Sequence, residues 1–283
     1  MSRVRIVTDS TCDLSRELLD EYNISLVPLK VMLDSVVYRD RIDLSPADFY
    51  QRLPGLSKLP TTSQPSPGEF VAVYESLADR GYQVISIHIS GGLSGTVQAA
   101  ELAASMVPGL EIQVVDSRTV AGQLGLLVLA AAKAAREGKD MASIVAMLHK
   151  LRDTSRIYFV LDTLEYLQKG GRIGKSSAFI GNLMNIKPIL SMQDGVVSPV
   201  DKVRGRNKAL DRMRELVREG AAGRPVRYCI LHGSDDEVAY SLMDRMQQEF
   251  GSAETPLLEI SPVLGTYAGP GAIGIAYYPL DTE

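Results

Sequence analysis

The sequence predicts an α/β protein built as two domains. The first is a doubly wound, mainly parallel sheet; the second is an α+β domain with a largely antiparallel sheet. Three observations predict this. Short β-branched runs alternate with helical patterns through the first half, as in a parallel sheet wrapped by helices. After Arg156 that alternation ends, and Asp194-Gly195 forms a two-residue hairpin turn between extended runs. The polar turns Thr8–Thr11, Ser90–Thr96 and Asp116–Arg118 each follow a strand, which gathers them at the sheet edge where ligands bind. The boundary is expected between Asp153 and Arg156, giving residues 1–155 and 156–283. No Ser/Gly linker marks it, so the two domains are expected to pack closely.

In chain order, Val4 to Val7 reads as a strand, and Asp13 or Ser10 as the cap of a helix through Leu18 and Leu19. Ile24 to Leu33 is extended and broken by Pro28. Ser45-Pro46 starts a helix, with Pro at the first turn. Leu59 to Gly68 holds three prolines and reads as an irregular loop whose hydroxyls are available to bond something. Phe70, Val73, Tyr74 and Leu77 recur at helical spacing. The strands Val84 to Ile89 and Glu111 to Val115 follow, and then a helix from Val120 to Arg136, apolar on nearly every side and so deeply buried. Met141 to Arg152 is amphipathic.

Beyond the boundary, Ile157 to Leu161 is a strand, and Asp162-Thr163 caps a helix from Leu164 to Gln168. Lys169 to Lys175 is a basic glycine turn leading to a helix from Ser176 to Met184. The hairpin pairs Lys187 to Met192 with Val196 to Val200. Helices Asn207 to Arg218 and Glu237 to Glu249 flank the strand Val226 to His232. Leu257 to Ile260 and Ala272 to Tyr278 are final strands, separated by Gly265 to Gly271.

Hydrophobic residues make up 45% of the 283, enough for a packed core. The net charge of −4 argues against a nucleic-acid partner. Cys12 and Cys229 match no metal spacing and read as small buried hydrophobes in a reducing compartment. No stretch reads as a signal peptide or a bilayer span, so a cytoplasmic protein without membrane insertion is expected.

The stretch around Ser90 organises the rest. A strand, a glycine turn and a helix opening at about Gly95 make a ready anion site, because the first N–H groups of a helix lack internal partners and carry its positive dipole end. Ser94 and Thr96 add hydroxyls there; Ser94 reads equally as a plain helix cap or as a ligand contact. The alternative is a small-molecule phosphotransfer or hydrolytic enzyme using the Ser94 turn, but a hydrolase would need a base beside Ser94, and Gly92-Leu-Ser-Gly95 lacks the nucleophile-elbow spacing. His88, six residues earlier, reads as a structural histidine. Gly170 to Ser176 has too few residues between its glycines for a P-loop. Asp9, Asp116 and Asp162 share no metal-ligand spacing and read as caps. Neither a catalytic residue nor a metal or cofactor site is assigned.

Several blocks resemble one family. Ile6-Val-Thr-Asp-Ser10, Leu59-Pro-Thr-Thr-Ser-Gln-Pro-Ser66, Gly92-Leu-Ser-Gly-Thr96, Val115-Asp-Ser117, the run from Leu161 to Gly174 containing Gly-Gly-Arg-Ile, and Gly269-Pro-Gly271 are similar to those of the DegV family. These are bacterial fatty-acid-binding proteins, the FakB components of fatty acid kinase. The resemblance runs nearly end to end in order and spacing. It implies a DegV-like two-domain fold with one long-chain fatty acid, such as palmitate, buried between and within the domains. It also implies a carrier and not an enzyme: the carboxylate is presented to a separate ATP-dependent kinase, and the acyl phosphate enters phospholipid synthesis. The family's carboxylate contacts fall at Thr62 and Ser94, with Ser63, Gly95 and Thr96 beside them. The arginine with which the family docks its kinase or handles phosphate falls at Arg172, and Arg204 and Arg206 are candidates to share that role. Two positions depart from the pattern. Ser90-Gly91 stands where many relatives have paired serines, and Tyr267-Ala268 stands where they have a histidine near the carboxylate. Tyr267 is assigned to the ligand site because a phenol also hydrogen-bonds a carboxylate. A monomer is expected.

Overall fold

The computed structural model describes residues 3–179, 186–251 and 256–283. Strand β1 (Val4–Asp9) leads through a 3₁₀ turn into α1 (Arg16–Glu21), followed by β2 (Ser25–Val27), β3 (Lys30–Leu33) and β4 (Val36–Arg39). Next come α2 (Pro46–Arg52), β5 (Thr61–Ser63), α3 (Pro67–Ala78), β6 (Gln83–His88), α4 (Thr96–Met106), β7 (Ile112–Asp116), α5 (Ala121–Arg136) and α6 (Met141–Thr154). The second half holds β8 (Arg156–Val160), α7 (Glu165–Lys169), β9 (Ile186–Gln193), β10 (Val196–Arg204), α8 (Arg206–Ala221), β11 (Val226–His232), α9 (Asp236–Phe250), β12 (Leu257–Glu259), α10 (Pro262–Ala268) and β13 (Ile273–Pro279).

The α/β class holds. One sheet, ordered β2-β1-β6-β7, is parallel throughout. The second, ordered β10-β9-β8-β13-β11-β12, is antiparallel except for β11 beside β12. The strands of these two sheets divide between α6 and β8. A third, antiparallel sheet, β4-β3-β5, was not foreseen.

Strand alternation explains how the layers stack. Ile6 and Ile85 face one way, into the core around α5, while Val7 and Val84 face the other way, onto α3 and α4. In the second sheet, Cys229 and Leu231 face the α5 core, and Tyr228 and Ile230 face α8 and α9. Helix α5 therefore lies between the two sheets, which is why its sequence is apolar all round. Its small residues permit the approach: a Cβ on Gly122 would meet Cys229 Sγ at 2.5 Å, and one on Gly125 would meet the Cys12 carbonyl at 2.5 Å. Both cysteines are buried free thiols.

Several local expectations are corrected. Ser15, not Asp13 or Ser10, caps α1, its hydroxyl accepting from Leu18 N–H at 3.3 Å. Asp13 instead ends the preceding 3₁₀ turn in the left-handed conformation, φ 55°. The 59–68 segment is not wholly irregular, because Thr61–Ser63 pairs with β3 and Ser66 opens α3 with a reciprocal capping box. Of the Asp162-Thr163 cap, Thr163 alone serves, accepting from Glu165 N–H at 3.1 Å; Asp162 is drawn away into ion pairs. The segment between the last two strands contains a helix, α10. The helix expected from Ser176 is a 3₁₀ turn over Gly174–Phe179, and the rest of that expectation lies outside the described residues.

Candidate functional site

A cavity of about 320 Å³ opens between the antiparallel sheet of the second half and the segments that follow the parallel strands, with β5 and α10 beside it. Ile157, Phe159 and Leu161 line it at every second position, as one face of β8 and its continuation. Val263, Leu264, Tyr267 and Ala268 line it from one face of α10. Leu29, Ile89, Leu93, Val120, Val197 and Leu231 complete most of the apolar wall. The polar side chains of the lining, Thr62, Ser63, Gln64, Ser94, Arg172 and Tyr267, are gathered together by the contacts among their segments.

Each polar group is placed by a local device. Strand β5 alternates, so Thr62 is half-buried while Thr61 and Ser63 are exposed. Thr62 Oγ1 lies 2.5 Å from Tyr267 OH. The Tyr267 ring rests on Gly170, where any Cβ would collide with it. Arg172 also lies over this ring, with its guanidinium carbon 5.2 Å from the centroid. Its Nε donates to the Leu93 carbonyl at 3.2 Å and its Nη1 to the Gly170 carbonyl at 3.0 Å. Nη2 makes neither bond. Ser94 Oγ lies 2.8 Å from the buried Thr96 Oγ1, at the start of α4. Gly95 is the residue before that helix, and the Gln64 amide lies so close above it that a Cβ would overlap.

The structure thus brings Thr62, Ser63, Ser94, Gly95 and Tyr267 to one mouth, with Thr96 supporting Ser94 from behind. Arg172, assigned from sequence to a surface role, also lines this mouth. The site therefore has a cation, where the sequence suggested hydroxyls and N–H groups alone. Gln64 was missed; its signal was its place in the Pro-Thr-Thr-Ser-Gln-Pro block. No carboxylate is among the lining residues, so the mouth suits an anion: a guanidinium, hydroxyl donors and a helix start converge on it.

Arg204 is exposed at the end of β10, away from these contacts. Arg206 is turned inward, donating to Asp162 at 2.8 Å and the Gly271 carbonyl at 2.8 Å, and pairing with Asp235. That guanidinium ties three segments of the second half together and has little left to offer a partner.

The hydrolase alternative meets a specific obstacle. His88 has a serine on one side and a carboxylate on the other, but neither belongs to the cavity. Its Nε2 is 2.6 Å from Ser86 Oγ and its Nδ1 is 3.0 Å from Asp9 Oδ2. Tyr74 OH donates to the same Ser86 oxygen at 2.8 Å, and Asp9 Oδ2 also accepts from Ile89 N–H at 2.9 Å. All three members of this relay are 0% exposed. The arrangement has the order of a catalytic triad without access to a substrate. It fastens β1 to β6.

Among the described residues, no group of His, Cys, Asp and Glu is placed to hold a metal ion, and no helix is long and apolar enough to cross a membrane.

Comparisons with known proteins bear on this site. The model of the DegV family, described as "Uncharacterised protein, DegV family", matches residues 3–280. A DegV domain-containing protein of Halalkalibacterium halodurans is 38% identical over 280 residues, 98% of this chain and 99% of that one. A solved DegV family protein of Thermus thermophilus, described by its fatty acid binding, superposes with a TM-score of 0.93 at 36% identity, covering 99% of this chain and 100% of that one. A stearic-acid-binding protein of Eubacterium ventriosum superposes with a TM-score of 0.90 at 28% identity, covering 98% of each chain.

Proposed function

The chain belongs to the DegV family, and from that premise we propose that it binds one long-chain fatty acid, such as palmitate, with the tail in the cavity and the carboxylate at its polar mouth. The observation that carries this reading is the asymmetry of the cavity: a mainly apolar wall with Thr62, Ser94, Arg172 and Tyr267 clustered in one patch. Each buried methylene contributes about 0.8 kcal/mol, so the tail supplies most of the affinity. A carboxylate needs compensating donors when it leaves water, and the mouth supplies them, which sets the register of the chain.

The reading extends to a partner. The protein acts as a carrier, a cytoplasmic monomer in which residues 1–155 and 156–283 form the two walls of the site. It offers the carboxylate to an ATP-dependent fatty acid kinase, which returns an acyl phosphate for phospholipid synthesis. Arg172 is exposed as well as lining the mouth, so it is suited to meet both ligand and kinase. Arg204 is the more available of the two later arginines, because Arg206 is committed to internal pairs.

Native mass spectrometry of the purified protein, with extraction of bound lipid, tests the first part. One acyl chain per protein molecule is expected. A protein that carries none and takes up no added palmitate ends the proposal. The second part is tested by adding a bacterial fatty acid kinase and ATP to the palmitate-loaded protein. Acyl phosphate is expected, with less of it from Arg172→Ala; no product with any such kinase removes the partner from the reading.

A further inference from the structure

One cluster of buried groups has no part in the reading above. Asp13 and Asp40 are both 0% exposed, yet each spends an oxygen on the same short helix. Asp13 Oδ1 accepts from Ser261 N–H at 3.0 Å, and Asp40 Oδ1 accepts from Val263 N–H at 3.1 Å. These are the cap and the second residue of α10. The other oxygen of each carboxyl, Oδ2, is buried with no hydrogen-bond partner among the described residues, and so is Tyr50 OH. We propose that Asp13 and Asp40 are positioning residues for the ligand site: as a proton-holding pair they clamp the first turn of α10 and so keep Tyr267 against Thr62.

The helix needs such a clamp. It has seven residues, too few to hold together alone, and its first N–H groups have no carbonyl of their own. Its cavity face includes Val263, Leu264 and Tyr267, so any drift of its first turn moves the wall of the site. The anchors are themselves fixed. Asp13 N–H donates to the Ser10 carbonyl at 3.4 Å, and Asp40 N–H donates to the carbonyl of Leu29, a cavity residue, at 2.9 Å. On the outer side of α10, a Cβ at Gly265 would meet Phe49 at 2.6 Å and Tyr50 OH at 2.8 Å, so α2 leaves the helix no room to retreat.

The proton follows from the surroundings. Two carboxylates that each leave an oxygen unsatisfied in a dry interior cannot both stay charged. Arg41 is the nearby cation, and its Nη1 is engaged with the Glu259 carbonyl at 2.9 Å. The other titratable groups facing the pair are the Tyr50 phenol from α2, Glu259 from β12 with His232 behind it, and the thiols of Cys12 and Cys229. Burial pushes the Tyr50, Cys12 and Cys229 groups up, so these stay protonated. Burial also raises Asp13 to about 8, against the pull of Arg41 and of Ser261, and raises Asp40 to about 6, against the pull of the Ser10 hydroxyl, the Val263 N–H and Arg41. Near neutrality the pair keeps a proton.

The test uses the full chain with ring-¹³C tyrosine, the Tyr267 signal being identified by Tyr267→Phe. Palmitate affinity is measured in parallel; that arm alone rests on the fatty-acid reading. Asp13→Ala is expected to shift the Tyr267 signal and to weaken palmitate binding about tenfold, as for a lost buried hydrogen bond. Asp13→Asn keeps the accepting oxygen and needs no proton, so it should match wild type on both at neutral pH. Between about pH 7 and about pH 9, above the Asp40 range, the wild-type Tyr267 signal should move much further than that of Asp13→Asn. If Asp13→Ala fails to fold, this pH comparison decides. An unchanged signal in Asp13→Ala, or the same pH course in wild type and Asp13→Asn, overturns the clamp. If wild type takes up no palmitate, the fatty-acid reading has failed and the Tyr267 signal still decides.

Discussion

Thr62 and Tyr267, 205 positions apart in the chain, meet hydroxyl to hydroxyl at 2.5 Å across the mouth of the cavity. Only one proton can lie between the two oxygens, so the other hydroxyl is free to donate to a ligand. Tyr267→Phe keeps the ring on Gly170 and beneath Arg172 while removing one donor. We expect palmitate affinity to fall by about 1 kcal/mol, roughly fivefold, with the melting temperature of the ligand-free protein little changed. Thr62→Val should cost a similar amount, and the double variant less than the sum, because each hydroxyl orients the other. Strict additivity in titration calorimetry would mean that the two act separately.

Much of this site was legible before the fold was known. A strand, a glycine turn and small residues after Gly95 announce a helix start, and helical periodicity is a local property. What was not legible depends on pairing over distance. Thr62 faces inward because three residues between prolines join β3, and no local signal sets that register. Helix α10 was hidden by Gly265 within it and by Gly269 and Gly271 just beyond; Gly265 is there because Phe49 and Tyr50 pack against it. Arg172 reads as a surface cation until Tyr267 and Leu93 are brought beside it. Asp13 reads as a helix cap and Asp40 carries no local signal, since burial of a carboxyl leaves no mark on sequence pattern.

Gly95 is a second point where the mouth can be broken without touching a donor. The Gln64 amide occupies the space a side chain would need. Gly95→Ala should push Gln64 aside and widen the mouth, weakening fatty acid retention severalfold. Gln64→Ala vacates that space, so Gly95→Ala in that background should have little further effect. A full penalty for Gly95→Ala in the double variant would place the cause elsewhere, in the backbone of the turn.

The buried relay of Asp9, His88 and Ser86 predicts a loss of stability and not of turnover. Asp9→Asn should destabilise the protein by about 3 kcal/mol, since it leaves His88 and Ile89 N–H with a poorer acceptor in a dry interior. Ser86→Ala should cost less, because Tyr74 and His88 can then approach each other. Denaturant unfolding measures both. Neither variant should alter hydrolysis of p-nitrophenyl esters, which the wild-type protein should not catalyse. Ester turnover that disappears in Ser86→Ala would show that the relay reaches substrate after all.

The raised carboxyls of Asp13 and Asp40 set a direction for stability against pH. A carboxyl that holds its proton more tightly in the folded than in the unfolded chain adds stability at low pH. That contribution is whole below the unfolded pKa, about 4, and is gone once pH exceeds the folded value. Burial raises Asp40 to about 6 and Asp13 to about 8. Their joint contribution should therefore shrink as pH rises from about 4, with the Asp40 part exhausted near pH 6 and the Asp13 part near pH 8. Asp13→Asn carries no titrating proton, so its stability should decline less between about pH 6 and about pH 8 than that of wild type. Unfolding free energies from urea titrations across that range measure the difference. Parallel curves for the two proteins would show that Asp13 has the same proton affinity folded and unfolded, which a buried carboxyl with an unpartnered oxygen does not allow.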